Sequence, residues 1–264
     1  MPRTQKGSMR MLEDYVEELM RVVDHRTSPL PTGRPMMFQG WDFLLFAHWR
    51  CPQQAVRALV PPQLELDTFD GAAWITLVPF RMRDVHVLGT KTLGHLSTFP
   101  ELNLRTYVRY QGVPGLYFLS LDTTSLGLTL AARTMVGLPY FIANMAMRCG
   151  NAATRIRSDR RITGGCPARL VAEYRPTGGA MQAPPGTLEH FLVEWYRLYS
   201  VRKSGHVVAL DVHHRPWSIA PAEARFKENS MLSAAMLHHA REPDLLHYSA
   251  RQDVLLWPPE TMRG

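Results

Sequence analysis

Apolar and polar positions alternate or recur in a pattern that changes along the chain. Leu12, Tyr15, Val16, Leu19, Val22 and Val23 recur at helical spacing and predict a helix over Met9–His25. Ser28 to Pro35 holds three prolines and a glycine and reads as a linker. Residues 1–36 are therefore expected to form an N-terminal helix and Pro-rich linker, docked on the body or on a partner, and 37–264 a single body. Within the body, Asp42–Arg50 reads as a buried strand. Pro52 opens a short helix carrying Ala55, Val56, Leu59 and Val60, which Pro61 and Pro62 stop. Strands are predicted over Ala73–Met82, after an Asp70-Gly71 turn, and over Leu102–Tyr110 and Leu116–Asp122.

Asp122, Thr123 and Thr124 are candidate N-caps for a helix running to Val136, with Gly137 at C′ and Pro139 blocking continuation. Ile142–Arg148, Ala153–Ser158 and Ala168–Tyr174 predict an antiparallel meander. Thr187 caps a helix with an apolar stripe of Leu188, Phe191, Leu192, Trp195, Leu198 and Tyr199. Val207–His214 is expected as a strand, Ala222–His239 as a helix and Leu246–Trp257 as a last strand. Many strands, few helices and no βαβ alternation predict an α+β fold. Its large antiparallel sheet would be curled into a cone-like or barrel-like form with flanking helices.

One strand has an unusual polar face. Side chains alternate across a strand, so Glu101, Asn103, Arg105 and Tyr107 share one face and Leu102, Leu104, Thr106 and Val108 the other. Either the polar face meets water, or it looks into an enclosed ligand cavity. The four side chains together offer an acceptor, an amide, a fork of donors and a hydroxyl, which can satisfy one another in a closed space. The next strand alternates Phe118, Ser120 and Asp122 with Tyr117, Leu119 and Leu121, and neither of its faces reads as uniformly solvated. Trp74 and Tyr117 are candidate cavity walls.

The segment Ala131–Phe141 carries Arg133, Gly137 and Pro139 at a spacing that resembles the signature of acetoacetate decarboxylases. That family follows its Gly-x-Pro with two lysines, one of which forms a Schiff base with substrate. Tyr140 and Phe141 stand at those positions here. Pro100–Asn103 resembles the strand that supplies the family's catalytic glutamate, so the resemblance implies a catalytic role for Glu101. The family's entry-strand arginine is not matched, because Trp41 and Asp42 fall near that place. A closer resemblance is to a bacterial branch of unknown function, the YqjF-like proteins (domain of unknown function 2071). It rests on Phe99–Val108, Tyr117–Asp122, Gly137–Tyr140 and Pro185–Leu192, and spans about Gly40–Pro258. It carries no established activity.

Composition narrows the remaining classes. At 264 residues, with 45% hydrophobic and 20% charged positions, the chain can bury a large core. No apolar run is long enough to cross a bilayer, and no apolar segment near Met1 reads as a secretory signal. Cys51, Cys149 and Cys166 are odd in number and far apart, which fits reduced thiols and a cytoplasmic location. The net charge of +7 comes mostly from arginine, the only lysines being Lys6, Lys91, Lys203 and Lys227. Arg148, Arg155, Arg157, Arg160 and Arg161 lack interleaved aromatics, so they read as a solvated sheet edge rather than a nucleic-acid surface. Eleven histidines include the pairs His213-His214 and His238-His239 but no metal-ligand spacing, and no metal or cofactor is expected. There is no nucleophile elbow, and Thr163-Gly164-Gly165 reads as a hairpin turn rather than a phosphate loop. Lys91 reads as an exposed loop lysine.

Together these readings predict a cavity lined by Glu101, Asn103, Arg105, Tyr107, Asp122 and Tyr140. It would bind a small carbonyl or carboxylate compound without Schiff-base chemistry. One alternative is a lyase, hydratase or isomerase with Glu101 and Tyr140 as its acid–base pair. Another is an interaction protein whose cavity is vestigial. Self-assembly is left open.

Overall fold

Alternating side chains place far more of the chain in strands than in helices. The computed structural model describes residues 3–26, 28–89, 98–150, 152–160, 166–237 and 242–262. Its strands are β1 Met37–Cys51, β2 Glu65–Leu66, β3 Ala73–Val87, β4 Phe99–Tyr110, β5 Val113–Thr123, β6 Tyr140–Cys149, β7 Thr154–Arg160, β8 Arg169–Pro176, β9 Met181–Gln182, β10 Arg197–Val201, β11 Val207–His214, β12 Ser218–Asn229, β13 Leu245–Leu256 and β14 Glu260–Thr261. Its helices are α1 Arg3–Met20, α2 Gln53–Arg57, α3 Leu126–Met135, α4 Leu188–Val193 and α5 Met231–Ala234. None is long and apolar enough to cross a membrane. Lys91, His238, His239 and the 163–165 turn lie outside the described residues.

Five strands, in the order β13-β1-β3-β4-β5, form a wall that two different sets of strands close. Leu116 and Tyr117, early in β5, pair with β10, whereas Leu121–Thr123 at its end pair with β6. At the other edge the start of β13 pairs with β12 and its end with β11. Pairing of β10 with β11 closes one ring, and the path β6-β7-β8-β12 closes a second. The wall belongs to both rings, so both of its faces are interior. Leu44, Phe46, Val78, Phe80 and Phe118 pack with Leu210 and Val212 inside the first ring. Leu45, Ala47, Ile75, Leu102 and Leu104 pack with Ile156 and Leu170 inside the second. A barrel-like ring of strands with an added N-terminal helix is thus the architecture, as the alternation implied.

The sheet is mixed rather than antiparallel throughout: β5 runs parallel to both β6 and β10. A parallel neighbour needs a crossover, and α3 supplies it between β5 and β6. Ser125 is its N-cap, accepting from the Leu128 N–H, rather than Asp122, Thr123 or Thr124. Gly137, at φ 79°, takes the left-handed position after the helix.

Two helices expected from periodicity are shorter than predicted, and part of each is strand. The segment after Thr187 is helical only to Val193, and Arg197–Val201 is β10. Ala222–Asn229 belongs to β12, where Ala222, Ala224 and Phe226 pack on the second core while Glu223 and Glu228 pair with Arg175 and Arg169. Alanine-rich alternation had the composition of a helix but the period of a strand. The N-terminal helix ends at Met20, earlier than its apolar pattern suggested. It lies on the body, with Val16 and Leu19 packed against Phe38, Leu255 and Trp257. Tyr15 donates to Asp253 at 2.6 Å.

Candidate functional site

The four polar residues predicted to share one face of β4 lie on the side of the first ring. Glu101, Asn103, Arg105 and Tyr107 are 3, 7, 5 and 0% exposed. Burying such groups is costly unless they are paired, so their partners define the site. Tyr107 is fully committed. Its hydroxyl donates to the Leu192 carbonyl at 2.8 Å and meets Thr76 Oγ1 at 2.5 Å. Thr76 Oγ1 in turn meets His48 Nδ1 at 2.8 Å, and His48 Nε2 meets His247 Nδ1 at 3.3 Å. Because Tyr107 donates to a carbonyl, Thr76 must donate to Tyr107 and His48 must hold its proton on Nδ1. Burial lowers the pKa of both histidines, which keeps them neutral in this chain.

Arg105 is not committed. Its Nη2 donates to the Leu192 carbonyl at 3.3 Å, and its guanidinium lies 5.5 Å from the Phe46 ring centre. Its Nε has no partner, and among the described residues no carboxylate forms an ion pair with it. Burial lowers its pKa, and the Tyr107 hydroxyl opposes that. The neighbouring Asn103 leaves its Oδ1 unpartnered as well. Both side chains line a cavity of about 50 Å³, walled by Phe46, Phe118, Trp195 and Trp217. That is several times the ~10–15 Å³ that one water-sized centre requires.

Glu101 lies further along the same face, where β5 meets β6. Tyr140, the first residue of β6, donates to both carboxyl oxygens of Glu101 at 3.2 and 3.3 Å. Arg133 of α3 fixes Tyr140 from behind, its Nε donating to the Tyr140 carbonyl at 2.6 Å. Burial raises the Glu101 pKa to about 8; the tyrosine hydrogen bond works against this and the Asp122 charge adds to it. At neutral pH the carboxyl is therefore mostly protonated. Burial beside Glu101 drives the Tyr140 phenol well above its ordinary value.

Asp122 and Tyr117 are not with this group, Asp122 because of a β-bulge and Tyr117 by plain alternation. Arg105 pairs with Phe118 but Leu104 pairs with Ser120, so Leu119 is an extra residue in β5. One added residue exchanges the faces of everything beyond it. Leu121 and Thr123 thus oppose Asn103 and Glu101, while Ser120 and Asp122 oppose Leu104 and Leu102. On that other face Arg160 reaches Asp122 at 2.7 Å and Ser120 at 2.9 Å. Tyr117, on the near side of the bulge, opposes Thr106 and joins the second core. Trp74 shares the face of Tyr107 but lies outside the Arg105 cavity, with its indole N–H unpartnered.

Several site groups escaped the sequence reading. Phe46 fell within a strand read only as buried, and Trp217 was not singled out. The Leu192 carbonyl, Trp195 and Arg197 were hidden in a supposed helix. α4 stops because Glu194 turns its carboxylate to the Trp217 N–H at 2.7 Å and to the Tyr196 hydroxyl at 2.5 Å. The following Arg197-Leu-Tyr-Ser-Val stretch then joins the sheet, with Arg197 on Asp211 at 2.5 Å. Its aromatic and β-branched content was the available signal for a strand. Among the described residues no three His, Cys, Asp or Glu side chains form a group that could hold a metal ion. Lys203 and Lys227 are exposed.

The arrangement has known counterparts. The chain is similar to the enduracididine biosynthesis enzyme MppR complexed with pyruvate, at TM-score 0.58 and 15% identity over 89% of this chain and 93% of that one. It is similar to an acetoacetate decarboxylase structure at TM-score 0.59 and 15% identity, over 93% of this chain and 97% of that one. At those identities the likeness shows a shared fold. In sequence it is 40% identical over 229 residues to the uncharacterized protein YqjF of Bacillus subtilis strain 168, covering 87% of this chain and 93% of the relative. The model of domain of unknown function 2071, described as an uncharacterized conserved protein, matches residues 38–253, and the chain belongs to that family.

Proposed function

We propose that the first ring is a receptor for a small carboxylate, bound without a covalent bond to the protein. The observation that carries this reading is Arg105: a guanidinium 5% exposed, with an unpartnered Nε and no carboxylate paired with it among the described residues, on the wall of a cavity. A buried cation without a counter-ion is destabilising unless something supplies the charge. A carboxylate would do so, and the planar fork of arginine suits it. The pyruvate in the MppR complex is a compound of this class held by the same fold. Tyr140, which the resemblance puts at the position of the decarboxylases' lysine, cannot condense with a ketone, and the two described lysine side chains lie on the surface.

A thermal-shift titration with pyruvate tests this. Saturation at 100 times Kd adds ~2.7 kcal/mol of stability, and each kcal/mol moves Tm by roughly 2–4 °C in a chain of this size. Pyruvate is expected to raise the Tm of the wild type and not that of Arg105→Met. Without ligand, Arg105→Met is expected to be as stable as the wild type or more so, since it removes an uncompensated charge and keeps the stem. A shift of equal size in both proteins, or none in either, defeats the proposal.

A second reading is favoured by Glu101 and Tyr140. A carboxyl with a pKa of about 8 beside a phenol is suited to donate a proton at neutral pH and to take it back. Contrary to the sequence expectation neither residue lines the Arg105 cavity, so a carbonyl compound would have to reach them beyond it to undergo lysine-independent lyase, hydratase or isomerase chemistry. Turnover lost in Glu101→Gln with pyruvate binding retained would support that reading over simple binding.

A further inference from the structure

A second space adjoins the Arg105 cavity. It is about 470 Å³, against about 50 Å³ for the cavity itself. Trp195 and Arg197 line both, so the two spaces share one boundary. This outer vestibule lies where the β4–β5 hairpin faces α4. A run of rings leads into it from the cavity side. Tyr107 is 5.1 Å from Trp195 and 4.9 Å from Phe191, centre to centre, and Phe191 is 5.5 Å from Phe69.

The charged groups of the vestibule are engaged elsewhere. Arg109 pairs with Asp67 at 3.0 Å, Arg197 with Asp211 at 2.5 Å, and Glu194 holds Tyr196 and the Trp217 N–H. Beside them the vestibule offers the rings of Phe69, Phe191 and Trp195 and the polar side chains of Ser28, Thr187 and His190. The inner cavity differs: its cation, Arg105, has an unpartnered Nε, in room for only a few heavy atoms. A three-carbon acid would satisfy the inner cavity and leave the vestibule unused.

We propose that the ligand of this site is an acid with two parts, a carboxylate end at Arg105 and an uncharged aromatic body in the vestibule against Phe69, Phe191 and Trp195. This rests on the reading of Arg105 as a carboxylate receptor and adds the class of acid. Trp195 is then the side chain that both halves of the ligand touch. Phe69 contacts only the body.

The test compares pyruvate with phenylpyruvate by calorimetry on the full chain, in the wild type, Phe69→Ala and Arg105→Met. Phenylpyruvate is expected to bind the wild type about tenfold more tightly than pyruvate, since aromatic packing adds ~0.5–1.5 kcal/mol beyond burial of the ring. Phe69→Ala is expected to remove most of that advantage while leaving pyruvate affinity within about twofold. Arg105→Met is expected to weaken both acids by tenfold or more, as loss of a charge-assisted pair does. If pyruvate binds through Arg105 but phenylpyruvate gains nothing, or if Phe69→Ala weakens both acids alike, the vestibule proposal is overturned and the receptor reading survives. If neither acid binds in an Arg105-dependent way, both fall.

Discussion

Glu101 concentrates the physics of the site in one side chain. It is buried beside a phenol rather than beside a cation, and the nearby charge that acts on it is another carboxylate, Asp122. Desolvation therefore wins, and the folded-state pKa of about 8 lies above the ordinary 4.5. The sign of the consequence follows. The folded chain keeps a proton that the unfolded chain releases, so this stabilising contribution is fully present below about pH 4.5 and is lost as pH rises through about 8. The loss amounts to a few kcal/mol. Glu101→Gln carries no such proton. Its urea-unfolding stability is expected to match the wild type at pH 5 and to exceed it at pH 9. Parallel losses in the two proteins between those pH values would refute a raised Glu101 pKa. The burial of these side chains was legible in the run Glu101–Tyr107, because four polar residues of complementary hydrogen-bonding type on one face are rare in a solvated strand. The partner of Asp122 was not legible, since a one-residue bulge at Leu119 changes a face without leaving any mark in the hydrophobic pattern.

At the level of elements, the strands that fold on their own alternation were read closely: Val207–His214 matches β11, and β3, β4 and β5 contain the predicted segments. The failures were elements whose state is decided by a distant partner. β10 exists because β5 and β11 flank it, and β12 because β8 offers an open edge. A stripe such as Leu188–Tyr199 satisfies a helix equally well until Glu194 finds Trp217 and Tyr196. The parallel seam between β5 and β10 also depends on one residue without a side chain. A Cβ on Gly115 would stand 2.6 Å from the Tyr199 ring and 2.9 Å from the Arg197 carbonyl. Neither neighbour can yield easily, because the Tyr199 ring is buried and the carbonyl is backbone. Gly115→Ala is expected to cost ~1–3 kcal/mol, read as a lower denaturation midpoint with an unchanged slope. It should also weaken phenylpyruvate binding, because Arg197 borders both the cavity and the vestibule. A variant as stable as the wild type would mean that the seam has slack the coordinates do not indicate.

The whole molecule is a wall of strands used twice, and that was the least legible feature of all. Alternation reports that a strand has two faces, and burial on both faces can be guessed from runs such as Phe43–Ala47. Which strands close each ring depends on where β5 and β13 split between partners, which no local pattern encodes. The N-terminal helix sits outside both rings. Its Leu19 carbonyl meets His213 Nε2 at 3.0 Å, and His213 faces away from Val212 and His214, which line the cavity. Tyr15 holds Asp253, whose other oxygen takes Arg83 at 2.5 Å; Arg83 also pairs with Asp42 at 2.8 Å. The helix thus shields a charged cluster and the apolar patch of Phe38, Leu255 and Trp257, and touches nothing in the cavity. Removing residues 1–20 should expose that patch and leave Asp253 one donor short, while keeping His25 and Arg26 on the His214 and Val212 carbonyls. Losing the burial of Val16 and Leu19 costs a few kcal/mol, which corresponds to a Tm drop on the order of 5–10 °C. The pyruvate-induced shift should persist in the shortened chain, with the same dependence on Arg105. A shortened chain that keeps its Tm would show the helix to be loosely held and free for a partner. One that folds yet no longer responds to pyruvate would place the helix in the binding mechanism, against the separation of faces that the two-ring architecture imposes.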